Sequence, residues 1–177
     1  MKSKPDKKPR PSLDAESLQR LALFYVGRYA TTRSKLRGYL ERKVSERGWT
    51  GPGPDLRGLV ERLTELGYID DSAFASARAA SLQRRGYGER RIRQALHAAG
   101  IGDEDAEGAR EDLRQNALAA ALRFAERKRI GPFASHEADR EARQKAFAAM
   151  MRAGHPLDVV RQVLNASPED IPDLDKN

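Results

Sequence analysis

The chain has 177 residues, 39% of them hydrophobic, enough to fill a core and to exclude wholesale disorder. Its 33 Lys and Arg against 26 Asp and Glu leave a net charge of +7, which favours an anionic partner such as nucleic acid. It has no cysteine, hence no disulfide, thiolate zinc site or thiol nucleophile. No apolar run approaches the roughly 18 residues that span a bilayer, and no signal-peptide segment follows Met1-Lys2-Ser3-Lys4-Pro5, so a soluble cytoplasmic protein without a membrane partner is expected.

Residues 1–11 carry five basic residues, one Asp and three Pro, with almost nothing to bury, and are expected to form a disordered basic tail. From Leu13 to Ala30, the residues Leu18, Leu21, Ala22, Tyr25, Val26 and Tyr29 recur on one helical face. Thr31 or Thr32 caps a second helix with Leu36, Tyr39, Leu40 and Val44 along its stripe. The segment from Gly48 to Pro54, with three Gly, two Pro and Trp49, is a loop. Asp55 caps a third helix bearing Leu56, Leu59, Val60, Leu63 and Leu66, which stops at Gly67.

Gly67-Tyr68-Ile69-Asp70-Asp71 then closes one helix and opens the next. Asp70 or Asp71 is placed to cap the helix that follows, and Tyr68 and Ile69 are expected to fill a packed, stiff elbow. Asp71 to Arg85 carries Phe74, Ala75, Ala77 and Leu82, and a core Phe74 implies a cost of about 3–5 kcal/mol for Phe74→Ala. After Gly86-Tyr87-Gly88, a helix from Glu89 to Ala99 turns Ile92, Ala95 and Leu96 inward. Asp103 is expected to cap the next, with an acidic first turn that suits the helix dipole. A third group follows: a helix from Asn116 to the stop at Gly131-Pro132, one from Ser135 to Ala153, one from Pro156 to Asn165, and a short turn at Ser167-Pro168-Glu169-Asp170.

Lining up the middle helices pairs Leu36 and Leu40 with Ile92 and Leu96, then with Ala146 and Met150, at offsets of 56 and 54 residues. The expected fold is therefore all-α: three tandem three-helix repeats of about 55 residues stacked into an elongated, curved body. The boundaries expected are 12–69, 70–115 and 116–165 for the repeats, with an acidic tail over 166–177. Long alternating runs of Val, Ile and Thr that would read as strands are missing.

The densest cationic stretch is Arg84, Arg85, Arg90, Arg91 and Arg93, opposed in sequence only by Glu89 and interrupted by Tyr87 between two glycines. Guanidinium forks match phosphate or carboxylate, and an aromatic on such a turn can stack or pack. Against this stands a solvated face paired with Glu89 and with the acidic run 103–112. Arg123, Arg127, Lys128 and Arg129 form a second group, and Arg37, Arg42, Lys43 and Arg47 a third; stacking of the repeats would bring the three groups onto one surface. His97, His136 and His155 have no partner at metal-ligand spacing, Ser34, Ser72 and Ser81 lack a nucleophile context, and no Gly-x-x-x-x-Gly-Lys loop occurs. No catalysis, metal or cofactor is expected.

These residues resemble the RecX regulatory proteins of bacteria, over roughly Leu18 to Leu164. The resemblance is carried by Gly67-Tyr68-Ile69-Asp70-Asp71 with Phe74 and Ala75, by Arg84-Arg85-Gly86-Tyr87-Gly88 with Arg91-Ile92 and Leu96, and by Gly100-Ile101. Tyr39-Leu40-Glu41-Arg42-Lys43 and Gly48 look like the family's first-repeat pattern, and the third repeat is similar in helix pattern and spacing. The resemblance implies a non-enzymatic regulator, acting as a monomer. It would lodge along the RecA filament on single-stranded DNA, slow filament growth, ATP hydrolysis and strand exchange, and modulate RecA-stimulated repressor cleavage in DNA repair and the SOS response. It assigns Arg37, Arg42, Lys43, Arg84, Arg85, Tyr87, Arg90, Arg91, Arg93, Arg127 and Lys128 to contacts with the filament or DNA. Gly67, Tyr68, Ile69, Asp70, Asp71 and Phe74 are left as the structural elbow. The alternative is a helical protein that binds nucleic acid directly through phosphates; weak direct DNA binding is compatible with both.

Overall fold

The computed structural model describes residues 11–136 and 138–171. The basic tail expected over 1–11 lies outside these residues except for Pro11, as do residues 172–177 of the acidic tail. The chain divides into two compact units, Met1–Asp71 and Ser72–Asn177. All regular secondary structure among the described residues is helical, apart from an isolated bridge between Leu13 and Trp49.

In the first unit, α1 (Ala15–Arg28) opens on a reciprocal cap: Asp14 Oδ1 accepts the Ser17 N–H at 2.9 Å while Ser17 Oγ accepts the Asp14 N–H at 2.9 Å. The expected start at Leu13 is thus two residues early. Leu13 is fully buried and paired with the loop at Gly48–Thr50, its N–H on Gly48 O at 3.0 Å and its carbonyl accepting from Thr50 at 2.8 Å. Thr32, of the two candidates, caps α2 (Arg33–Arg47) through the Lys35 N–H, and Asp55 caps α3 (Leu56–Glu65) through Gly58. Leu18, Ala22, Leu36, Leu40, Leu59, Val60, Leu63 and Ile69 make one apolar core.

The end of α3 corrects the packed elbow. Gly67 N–H bonds to Thr64 O and Tyr68 N–H to Leu63 O, both at 2.9 Å, the paired closure of a Schellman motif. That closure turns the Tyr68 ring outward, 53% exposed, while Ile69 is 3% exposed in the core. Asp71, buried at the start of α4 (Asp71–Arg84), serves a different helix from the one expected: its carboxylate accepts from the Arg33 backbone N–H at 3.0 Å and from Arg33 Nε at 2.9 Å. It thereby satisfies a free donor at the start of α2.

The second unit holds α4, α5 (Glu89–His97), α6 (Glu107–Gln115), α7 (Ala117–Lys128), a 3-10 turn at Gly131–Phe133, α8 (Arg140–Ala153) and α9 (Leu157–Asn165). One core cluster gathers Ala75, Leu82, Ile92, Leu96, Ile101 and Leu113, with Phe74 only partly buried against it. A second gathers Leu122, Phe124, Met150, Val160 and Val163. Three expected boundaries move. Helix α6 begins at Glu107 with Ala106 as its cap residue, so Asp103 does not cap it; the Asp103 carboxylate pairs with Arg110 instead. Helix α7 ends at Lys128, three residues before Gly131, with Arg129 left-handed at φ 53° and the Ile130 N–H closing on Ala125 O at 3.0 Å. Helix α8 begins at Arg140, not Ser135, because Asp139 Oδ1 takes the Ala142 N–H at 2.7 Å.

Candidate functional site

Helices α4 and α8 end in the same way, and the two ends meet. After α4, Gly86 N–H bonds Gln83 O at 2.8 Å and Tyr87 N–H bonds Leu82 O at 3.1 Å; after α8, Gly154 N–H bonds Met151 O at 3.1 Å and His155 N–H bonds Met150 O at 3.3 Å. Gly88 N–H then donates to Ala153 O at 2.9 Å and Arg90 N–H to Gly154 O at 3.1 Å, with Arg90 Nη2 on Met151 O at 2.7 Å. The backbones are in contact: a Cβ at Gly88 would lie 2.3 Å from Gly154 C, and one at Gly154, whose φ is +91°, would lie 2.4 Å from Arg91 N. Glycine is what lets the two turns interlock.

His155 sits in this seam, 3% exposed, with Nε2 3.1 Å from Gly86 O and its ring edge-on to Phe124 at 5.5 Å. A carbonyl can only accept, so Nε2 carries the proton; Nδ1 is buried without a hydrogen-bond partner. Burial pushes the imidazole below its ordinary pKa of 6.5, outweighing the Gly86 hydrogen bond, which acts in the other direction. Sequence spacing tests a histidine for metal ligation, and this one is a packing residue instead. Among the described residues no group of three or more His, Asp or Glu is arranged to hold a metal ion.

The interlocked turns fix the Tyr87 ring, and arginines gather on it. The guanidinium carbons of Arg91, Arg85 and Arg127 lie 5.1, 5.5 and 6.0 Å from its centroid, within cation–π range. Arg127 also lies over Phe124 at 5.7 Å and donates to Arg85 O. A concavity of about 390 Å³ opens beside the ring, walled by Arg78, Leu82, Arg85, Tyr87, Arg91, Gln94 and Ala95, with no carboxylate among them. The densest cationic stretch and the second basic group of the sequence thus converge on one aromatic ring. Arg78, from α4, belongs to the same wall but lies outside the sequence cluster. The acidic run does not neutralise the arginines: Asp103 and Glu107 pair with Arg110, and Glu111 pairs with Arg114. Arg84, Arg93 and Lys128 are exposed on the same unit, and Arg90 is committed to the seam.

The basic face of the first unit is different. Arg37 pairs with Glu41 at 2.8 Å, and Arg42 and Lys43 share Glu46 at 3.8 and 2.6 Å. Arg42 and Lys43 also lean on Tyr39, which stacks on Tyr25 at 4.3 Å. These cations belong to a largely self-neutralised helix surface.

A family model described as "RecX, second three-helix domain" matches residues 70–109. The regulatory protein RecX of Myxococcus xanthus is 31% identical, with 94% of each chain covered. That of Halorhodospira halophila is 31% identical over 88% of this chain and 91% of its own. The chain belongs to the RecX family. A crystal structure of RecX from Lactobacillus salivarius shares the fold at a TM-score of 0.63, with 20% identity, covering 85% of this chain and 94% of that one. Both relatives are named as regulatory proteins. In this RecX family chain, the matched segment holds Arg78, Arg85, Tyr87 and Arg91, whereas Arg127, Phe124 and His155 reach the site from beyond it. Among the described residues no helix is long and apolar enough to cross a membrane.

Proposed function

We infer that this RecX family chain regulates the RecA recombinase by binding the RecA filament on single-stranded DNA, in the cytoplasm and as a single chain, and that it slows ATP hydrolysis and strand exchange and modulates repressor cleavage in DNA repair and the SOS response. The observation that supports this most is the convergence of Arg85, Arg91 and Arg127 on Tyr87 without a carboxylate in the adjoining wall. Such a surface is poised for an anionic partner, and Arg84 and Arg93 extend it. The self-neutralised face of Arg37, Arg42 and Lys43 contributes less.

The test is DNA-dependent ATP hydrolysis by RecA from the same organism, with this chain titrated far below the RecA concentration. Inhibition is expected at those ratios, and Arg84, Arg85 and Arg91 changed together to Ala should weaken it while leaving the circular dichroism unchanged. An inhibition curve unmoved by the triple change would sink the assignment of this surface. The net charge of +7 also favours a second reading, direct coating of nucleic acid. That reading requires inhibition only when the DNA itself is coated, with a salt dependence of about 0.7–0.9 log units per neutralised phosphate.

A further inference from the structure

We propose that the concavity beside Tyr87 is a phosphate-binding pocket, with Arg78, Arg85 and Arg91 as its forks, Gln94 as an amide donor and Arg127 steadying the aromatic floor. The proposal deepens the regulatory reading, since the pocket lies within the surface assigned to the filament; it names the group taken there.

Uncompensated charge is the first reason. Several arginines elsewhere are paired with acids: Arg33 with Asp71, Arg37 with Glu41, Arg57 with Glu61 and Arg110 with Asp103 and Glu107. At Tyr87, three guanidiniums share one ring, a fourth joins them in the wall, and no Asp or Glu lines the space. Mutual repulsion of these cations falls when an anion enters.

Preorganisation is the second. Arg127 is tied to the Arg85 carbonyl and lies over Phe124, and the Tyr87 backbone is held by Leu82 O and by the interlocked glycines on either side. Guanidiniums already resting on an aromatic face lose less freedom when they bind than solvated ones do.

Shape decides between anions. A volume of about 390 Å³ falls in the range of small-ligand sites, roughly 300–1,000 Å³. A carboxylate offers two oxygens in one plane and is satisfied by a single fork. A phosphate presents its oxygens tetrahedrally and accepts from several donors that approach from different elements. Here Arg78 comes from α4, Arg85 from the turn after it, and Arg91 and Gln94 from α5. The phosphate can belong to a nucleic-acid backbone or to a free polyphosphate, and the two are separable.

The experiment is isothermal titration calorimetry of the full chain with inorganic pyrophosphate and, separately, with glutarate as a dicarboxylate of similar reach. Fluorescence anisotropy with labelled oligothymidylate and RecA ATPase inhibition are measured in parallel. Pyrophosphate should bind and glutarate should not, and Arg78→Gln and Arg91→Gln should each weaken pyrophosphate about tenfold or more, the worth of one charge-assisted hydrogen bond. Both side chains are exposed, and unchanged circular dichroism checks their folding. Displacement of oligothymidylate by pyrophosphate supports a backbone phosphate as the occupant; pyrophosphate binding that leaves oligothymidylate in place supports a free polyphosphate. No pyrophosphate binding, equal binding of glutarate, or indifference to both substitutions overturns the pocket. Inhibition of RecA without pyrophosphate binding would overturn the pocket alone, and pyrophosphate binding without inhibition would overturn the regulatory reading alone.

Discussion

Replacing Gly88 by Ala tests whether the interlocked turns hold the second unit together. The backbone at Gly88, with φ −84° and ψ 167°, suits alanine, so any cost comes from the added methyl. That methyl would lie 2.3 Å from Gly154 C and 2.4 Å from both Gly154 O and His155 N. All three are backbone atoms, and relief requires the turns to separate. Separation breaks Gly88 N–H to Ala153 O, Arg90 N–H to Gly154 O, and His155 Nε2 to Gly86 O, bonds of 2.9, 3.1 and 3.1 Å. At about 1 kcal/mol each, the loss is about 3 kcal/mol. The reduced freedom of the unfolded chain returns about 0.4–1 kcal/mol, leaving a net cost of about 2–3 kcal/mol. The assay is urea unfolding followed by far-ultraviolet circular dichroism. Gly108→Ala is the control: it lies inside α6 with nothing within 4 Å of the new methyl, and gains up to about 1 kcal/mol from helix propensity. If Gly88→Ala loses less than about 0.5 kcal/mol, or is as stable as Gly108→Ala, the backbone contact is not a constraint and the reasoning fails.

Two further substitutions test single groups. Burial holds the folded pKa of His155 below the 6.5 of the free side chain, so below about pH 6.5 the unfolded chain takes up a proton that the folded chain refuses. Stability should fall as the pH is lowered from 6.5 towards the folded pKa and be unaffected by this group above 6.5. His155→Gln should flatten that part of the urea-midpoint profile between pH 7.5 and 5.5, and equal slopes in the two proteins would refute the assignment. Asp71→Ala removes the acceptor of both Arg33 bonds, and with Arg33 itself 48% exposed the loss should be about 2 kcal/mol. The fluorescence of Trp49, the one tryptophan and a residue of the same unit, reports it on urea unfolding; a loss below about 0.5 kcal/mol would make the pair incidental.

The helices were legible because their information is local. Leu36 and Leu40, Ile92 and Leu96, and Met150 repeat at helical spacing with nothing to compete, and all five are buried. Helix starts were less legible, since several polar residues in a row offer several caps and a distant partner decides among them. Asp103 was lost as a cap to Arg110, and Asp139 won over Ser135 by reaching Ala142. Tyr68 reads as core by hydropathy alone, but the turn geometry after α3 faces it outward. The candidate site divides along the same line. Clustering of Arg84, Arg85, Arg90, Arg91 and Arg93 is a local fact, as is the neutralisation of Arg37 and Arg42 by acids four residues on, which the sequence already displayed. The convergence of Arg127 on Tyr87, the contribution of Arg78 to its wall and the burial of His155 against Gly86 depend on contacts across many residues. One sequence signal did bear on them: Gly86 and Gly154 stand where helices stop and Gly88 where one starts, and a glycine at such a turn also permits another backbone to touch it. Read as a pair of docking points rather than as two helix ends, those glycines lead to the seam, and the seam places the arginines.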